Sequence, residues 1–161
     1  MKNLLYHQSS IGNIAIVDNG EKITNVFFGK PGFLQTQFRN AKTELNTLCA
    51  KQLDEYFKGV RRAFDLPMEM EGTPFQVNVW KAMLTVPYGE TRTYRDIAEQ
   101  IGNPNSYRAV GLANNKNPMV ILVPCHRIVG TNGDMVGYGG GLAKKKQLLI
   151  FEREQLQKAS K

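Results

Sequence analysis

TYRDIAEQIGNPNSYRAVGLANN, residues 93–115, encodes two short helices and the break between them. Thr93 followed three residues later by Asp96 resembles a capping box, Ile97, Ala98 and Ile101 supply an inward face, and Gly102 stops the helix. Asn103-Pro104-Asn105 breaks the chain, and a second helix from 106 to about 115 carries Val110, Leu112 and Ala113. Two short helices joined by a tight turn, the second rich in small residues and bearing Arg108, form a helix-turn-helix pattern. Helical hairpins pack cores more often than they read DNA, so the pattern alone speaks to fold before function.

Upstream of this stretch, Thr73-Pro74 reads as a helix start, a hydroxyl cap followed by a first-turn proline, with Phe75, Val79, Trp80 and Met83 as the buried face. Pro87-Tyr88-Gly89 is a turn. Downstream, residues 120–124 are an apolar lead-in to Cys125-His126-Arg127, followed by a β-like Ile128-Val129, a glycine-rich loop over 130–141 and a closing helix from 142 to about 156. The first half has another pattern. Alternating and β-branched stretches at 4–8, 11–17 and 23–28, punctuated by Ser9-Ser10, Asp18-Asn19-Gly20 and Gly29, predict an antiparallel meander. Leu45, Leu48, Cys49, Leu53, Tyr56 and Phe57 predict a helix over 41–58 ending at Gly59, with a returning strand at 62–66 and a linker at 67–72. The fold class expected is α+β: a small N-terminal α/β domain over 1–72, an antiparallel sheet plus a helix, and a mostly helical, winged helix-turn-helix-like DNA-binding domain over 73–161.

Composition sets the frame. In 161 residues, 42% are hydrophobic and 22% charged, so a core can form and disorder is not indicated. The longest aliphatic run, 120–123, is far too short to span a bilayer, and the first residues meet polar groups before any signal-type stretch develops, so neither secretion nor membrane insertion is expected. Two cysteines, Cys49 and Cys125, are not a disulfide framework, and the expected compartment is the reducing cytoplasm. The net charge of +7 is uneven: residues 1–72 hold 9 Lys+Arg against 8 Asp+Glu, and residues 73–161 hold 12 against 6. A basic excess confined to the helix-turn-helix half points to an anionic partner, nucleic acid first, with a solvated surface as the alternative.

Cys125 is the candidate nucleophile, because cysteine reacts as the thiolate, which a neighbouring base and positive charge promote. Cys49 lies on the helical stripe and reads as a small buried hydrophobe. His126 poses a geometric problem: neighbours on an extended segment point to opposite faces, so a water bridge or a local turn is required. A third group must orient the imidazole, and downstream only Asp134, Glu152 and Glu154 are carboxylates. Two cysteines and two histidines, at 7, 49, 125 and 126, lack the paired spacings of zinc sites, and Gly137-Tyr138-Gly139-Gly140-Gly141 lacks the spacing of a phosphate loop.

Pro124-Cys125-His126-Arg127, inside Ile-Leu-Val-Pro-Cys-His-Arg-Ile-Val, closely resembles the active-site signature of the O6-alkylguanine-DNA alkyltransferases, the methylated-DNA–protein-cysteine methyltransferases. Thr-Tyr94-Arg-Asp-Ile-Ala, Gly-Asn-Pro, Arg108-Ala-Val-Gly, Asn117-Pro118, Val-Gly-Tyr138, Gly-Gly-Leu-Ala and the helix bearing Glu152 are similar to family members in the same order. The resemblance runs from about Phe75 to Glu152, while residues 1–72 fit the family's ribonuclease H-like N-terminal domain in outline.

The resemblance implies single-turnover repair of double-stranded DNA carrying O6-alkylguanine, with O4-alkylthymine as a further possible lesion. Cys125 receives the alkyl group, Glu152 orients His126, His126 deprotonates Cys125 through a water, and Tyr94 gives a proton to the base N3. The lesion has to be flipped out of the stack. Arg108 would fill the vacated space, with Tyr94 helping to turn the phosphate, Ala109 and Gly111 allowing close approach to the minor groove, and Arg127 adding a DNA contact. Asn117 would hold the turn before the cysteine, and Tyr138, Val136, Gly139, Pro124 and Trp80 would wall the substrate pocket. Gly139 stands where some members carry a serine that bonds O6, so room for larger alkyl groups is expected. The N-terminal domain lacks the Cys and His of the structural zinc in some relatives; no metal, cofactor, membrane or obligate protein partner is expected. The rivals are an alkyltransferase-like lesion binder, whose members replace the cysteine, a winged-helix regulator binding DNA sequence-specifically, and a Cys-His hydrolase, for which no oxyanion donors can be assigned.

Overall fold

The computed structural model describes residues 1–132 and 141–159. The α+β class holds. The chain separates into two compact units: Met1–Glu71 with Pro118–Leu122, and Gly72–Asn117 with Val123–Lys161.

In the first unit, β1 (Asn3–Ser9), β2 (Gly12–Asp18) and β3 (Ile23–Phe28) form the antiparallel meander, β1 and β2 in register from Ser9↔Gly12 outward and β2 and β3 shifting register between Val17 and Asp18. The short helix α1 (Leu34–Gln37) leads into β4 (Arg39–Asn40), which pairs parallel to β1, so the sheet order is β3-β2-β1-β4. Helix α2 (Glu44–Phe57) follows. Thr43 caps it by exchanging bonds with Asn46: Asn46 N donates to Thr43 Oγ1 at 3.0 Å, and Thr43 N donates to Asn46 Oδ1 at 2.8 Å. The sheet and helix are tied by the buried Asp18, whose carboxylate accepts from Asn3 Nδ2, Gly20 N and Thr43 Oγ1 at 2.8–3.1 Å, so its charge is compensated by three donors. Cys49 is fully buried on α2, and burial pushes its thiol up to about 12, which leaves it protonated and unreactive near neutral pH.

The expected strand at 62–66 does not form. Gln52 takes the place of a strand partner: its Nε2 donates to Asp65 O at 3.0 Å and its Oε1 accepts from Asp65 N at 2.9 Å, leaving only Met68 to bridge Ile23. Residues Pro118–Leu122 join this unit because Met119 bridges Val26, with Val26 N donating to Pro118 O and Val120 N to Val26 O. The lead-in to Cys125 is therefore not a plain extended run. Ile121 sits at φ +72°, a left-handed conformation costing a β-branched residue about 1–3 kcal/mol, and it is held there fully packed.

The second unit opens with α3 (Pro74–Met83), capped reciprocally by Thr73 and Gln76. Strand β5 (Arg92–Thr93) leads into α4 (Tyr94–Gln100), capped by Thr93 and Asp96. A 3₁₀ turn at Pro104–Ser106 precedes α5 (Tyr107–Asn115), completing the helix-turn-helix. Val110 and Ala113 point inward on α5 as expected, but Leu112 is 65% exposed, because the third inward position is taken by the buried Asn114 one turn after Val110. Strand β6 (Ile128–Val129) pairs parallel to β5, and α6 (Leu142–Ala159) closes the unit. Among the described residues no helix is long and apolar enough to cross a membrane.

Candidate active site

Cys125, His126 and Arg127 form a single 3₁₀ turn rather than an extended segment. With three residues per turn, neighbouring side chains are about 120° apart instead of opposed, and this removes the adjacency problem. All three residues are buried. Asn117, just beyond α5, donates through Nδ2 to Val123 O at 2.8 Å and to Cys125 Sγ at 3.0 Å, so one amide fixes both the approach to the turn and the sulfur.

Glu152, nearly three turns into α6, is fully buried and accepts from every side. His126 Nε2 lies 2.7 Å from Oε2, Arg127 Nη2 donates to Oε2 and Nε to Oε1 at 2.9 Å each, and Gly89 N donates to Oε1 at 2.9 Å. Arg127 Nη1 also donates to Val86 O at 2.8 Å. The Gly89 contact favours glycine, because its φ of +79° is strained for any other side chain, and a Cβ there would also have to displace the Leu156 side chain. Burial raises the proton affinity of the Glu152 carboxyl, but the bonds and charges of His126 and Arg127 outweigh it and hold the group well below the usual carboxylate range.

The His126 pKa moves down from its ordinary value. Burial is the main cause, Glu152 opposes it, and the charges of Arg127 and Lys145 add to it. With Nε2–H directed at Glu152, the imidazole is neutral and presents its Nδ1 lone pair, which is buried and has no protein partner among the described residues. That combination is a base awaiting a proton.

Tyr94 opens α4 and is half-buried. Burial and the Cys125 charge push its hydroxyl up to about 12, against a hydrogen bond with Asn114 that works the other way, so it is a proton donor throughout the neutral range. Lys145, on α6, is fully buried with Nζ 5.8 Å from the Tyr94 ring centroid. Burial brings it down to about 8, partly offset by the Cys125 charge.

The chain's residues 74–154 match the family model described as "6-O-methylguanine DNA methyltransferase, DNA binding domain", and residues 3–70 match "6-O-methylguanine DNA methyltransferase, ribonuclease-like domain". The chain belongs to the 6-O-methylguanine DNA methyltransferase family. It is 42% identical over 153 residues to the methylated-DNA–protein-cysteine methyltransferase of Mycobacterium tuberculosis, covering 91% of this chain and 90% of that one. The protein of that name from Methanosarcina acetivorans is 45% identical over 147 residues, covering 90% and 94%. A crystal structure of Mycobacterium tuberculosis OGT in complex with DNA superposes with a TM-score of 0.88 at 41% identity, covering 95% of this chain and 94% of that one.

Within this methyltransferase unit, Arg108 and Ala109 are exposed on α5, and a Cβ added at Gly111 would meet nothing within 4 Å, so the outer surface of the helix is low and open. Two expected placements are corrected. Arg127 is not a DNA-facing residue: it is buried, and its guanidinium is spent on Glu152 and Val86. Trp80 is not a pocket wall but core, 2% exposed, with its indole N–H donating to Ala113 O at 2.9 Å and locking α3 to α5. Pro124 is buried at the start of the cysteine turn, Glu154 is exposed, and among the described residues Glu152 is the carboxylate that meets the His126 ring. Asp134, Val136, Tyr138 and Gly139 lie outside the described residues. Lys145, Asn114 and the Gly89 amide were missed from sequence; the signal for Lys145 is its spacing of seven from Glu152, which puts both on one face of α6. Among the described residues no group of three or more His, Cys, Asp or Glu could hold a metal ion.

His126 and Glu152 both bind protons more weakly in the fold than in the unfolded chain, so stability falls with pH as the unfolded chain takes protons up first. The His126 contribution is present above its ordinary value of 6.5 and lost below it; that of Glu152 is present above 4.5 and lost below. Urea midpoints are expected to drop in two stages on acidification, and a midpoint unchanged from about pH 7 to about pH 4 contradicts the assignment.

Proposed function

We propose that this protein repairs DNA by direct reversal, transferring the alkyl group of O6-alkylguanine irreversibly to the sulfur of Cys125. The observation that carries the reading is the buried arrangement in which Asn117 holds Cys125 Sγ while Glu152, fixed by Arg127 and Gly89 N, anchors His126. The His126 Nδ1 takes the thiol proton through a bridging water, and Glu152 stabilises the imidazolium that results. The thiolate attacks the alkyl carbon, the S–C bond forms as the C–O6 bond breaks, and Tyr94 protonates the departing guanine at N3. Lys145 lowers the cost of the buried thiolate and of the anion that Tyr94 becomes, by placing a positive charge beside both.

The target nucleotide reaches this buried sulfur only outside the helix stack. Arg108, exposed near the start of α5, fills the space it leaves, while Ala109 and Gly111 let the helix approach the minor groove. The protein works on duplex DNA without an obligate protein partner, in the cytoplasm, where the thiol stays reduced.

Stoichiometry tests the reading. With O6-methylguanine duplex in tenfold excess, one equivalent of guanine per protein is expected to be restored and the reaction then to stop. Continued turnover would require a way to cleave the thioether and would overturn the proposal.

A further inference from the structure

Arg95 follows Tyr94 at the start of α4, and Tyr107 is the first residue of α5, directly before Arg108. The Arg95 guanidinium carbon lies 4.1 Å from the Tyr107 ring centroid, which is stacking distance, and the Arg108 guanidinium carbon lies 5.8 Å from the same centroid. Tyr107 is half-buried, whereas both arginines are exposed. One ring thus joins the two helix starts that carry Tyr94 and Arg108, and a cation–π contact holds each arginine to it.

We propose that Tyr107, clamped by Arg95, is a positioning residue that makes base extrusion from duplex DNA efficient by holding Arg108 ready beside the stack. The proposal rests on the reading of Arg108 as the residue that fills the vacated space. An arginine loses rotamer freedom when it enters a base stack, and a ring that already confines it reduces that loss. The Arg95 contact fixes the ring, so α4 and α5 present their two DNA-directed side chains at a set separation. None of this touches the chemistry at Cys125, and its effect is confined to substrates whose stack must be opened.

The test compares single-turnover transfer from O6-methylguanine in a duplex with transfer from the same lesion in a short single strand, where little stacking has to be broken. Tyr107→Ala and Arg95→Ala are each expected to slow the duplex reaction roughly two- to five-fold, the worth of an exposed cation–π contact, and to leave the single-strand reaction unchanged. Tyr107→Phe, which keeps the ring, is expected to match the wild type, and in an Arg108→Ala background the Tyr107→Ala effect is expected to vanish. Equal slowing on both substrates, an unchanged duplex rate, a Tyr107→Phe variant as slow as Tyr107→Ala, or an effect that survives in Arg108→Ala each overturns the proposal. A wild type that reacts with neither substrate removes the repair reading itself, and this proposal with it.

Discussion

Glu152→Leu is expected to lose about 3–5 kcal/mol of unfolding free energy and all measurable transfer, because it leaves the Arg127 guanidinium buried without its carboxylate. The two effects separate in a second variant. Arg127→Met combined with Glu152→Leu removes both charges, and replacing a buried pair by apolar side chains of similar volume is often close to neutral, so much of the lost stability is expected to return. Transfer is not, since His126 still lacks the acceptor that directs its Nε2–H and leaves Nδ1 as the base. Urea unfolding beside single-turnover kinetics reads both quantities. A double variant as unstable as Glu152→Leu would mean that the carboxylate supports the fold through His126 and Gly89 alone; a double variant that still transfers would remove Glu152 from the mechanism.

Tyr94→Phe is expected to slow transfer by about 10²-fold or more, the usual worth of a positioned general acid. The hydroxyl held up at about 12 is protonated when guanine leaves, and Lys145 beside the ring stabilises the phenolate that follows. Phenylalanine keeps the ring, its place at the start of α4 and its contact with Lys145, so duplex affinity is expected to change little. A rate within a few-fold of the wild type would show that guanine departs with a proton from elsewhere.

Local signals were legible where local physics fixes them. Thr73-Pro74 and Thr93 with Asp96 announced α3 and α4 because a capping hydroxyl bonds an amide three residues on, and both caps form. The meander was readable from period-two alternation and its turn residues. The 62–66 segment is not a strand, and the backbone groups of Asp65 within it are met by Gln52, a side chain thirteen positions earlier, which no periodicity reveals. At the site, Cys125, His126, Asn117 and Glu152 could be named from motifs, but their directions could not. An arginine beside a reactive cysteine in a basic half reads as a DNA contact, and only the fold brings Glu152, 25 positions away, onto Arg127. Lysine is almost never fully buried, so Lys145 was passed over for a reason that holds in most proteins and fails here because a thiol and a tyrosine share its pocket.

The account stands on Cys125 as the acceptor. Intact-mass measurement after mixing the protein with a duplex containing O6-methylguanine tests this most directly. One added methyl is expected on the wild type and none on Cys125→Ala; an unmodified wild type, or a methyl that persists in Cys125→Ala, contradicts it.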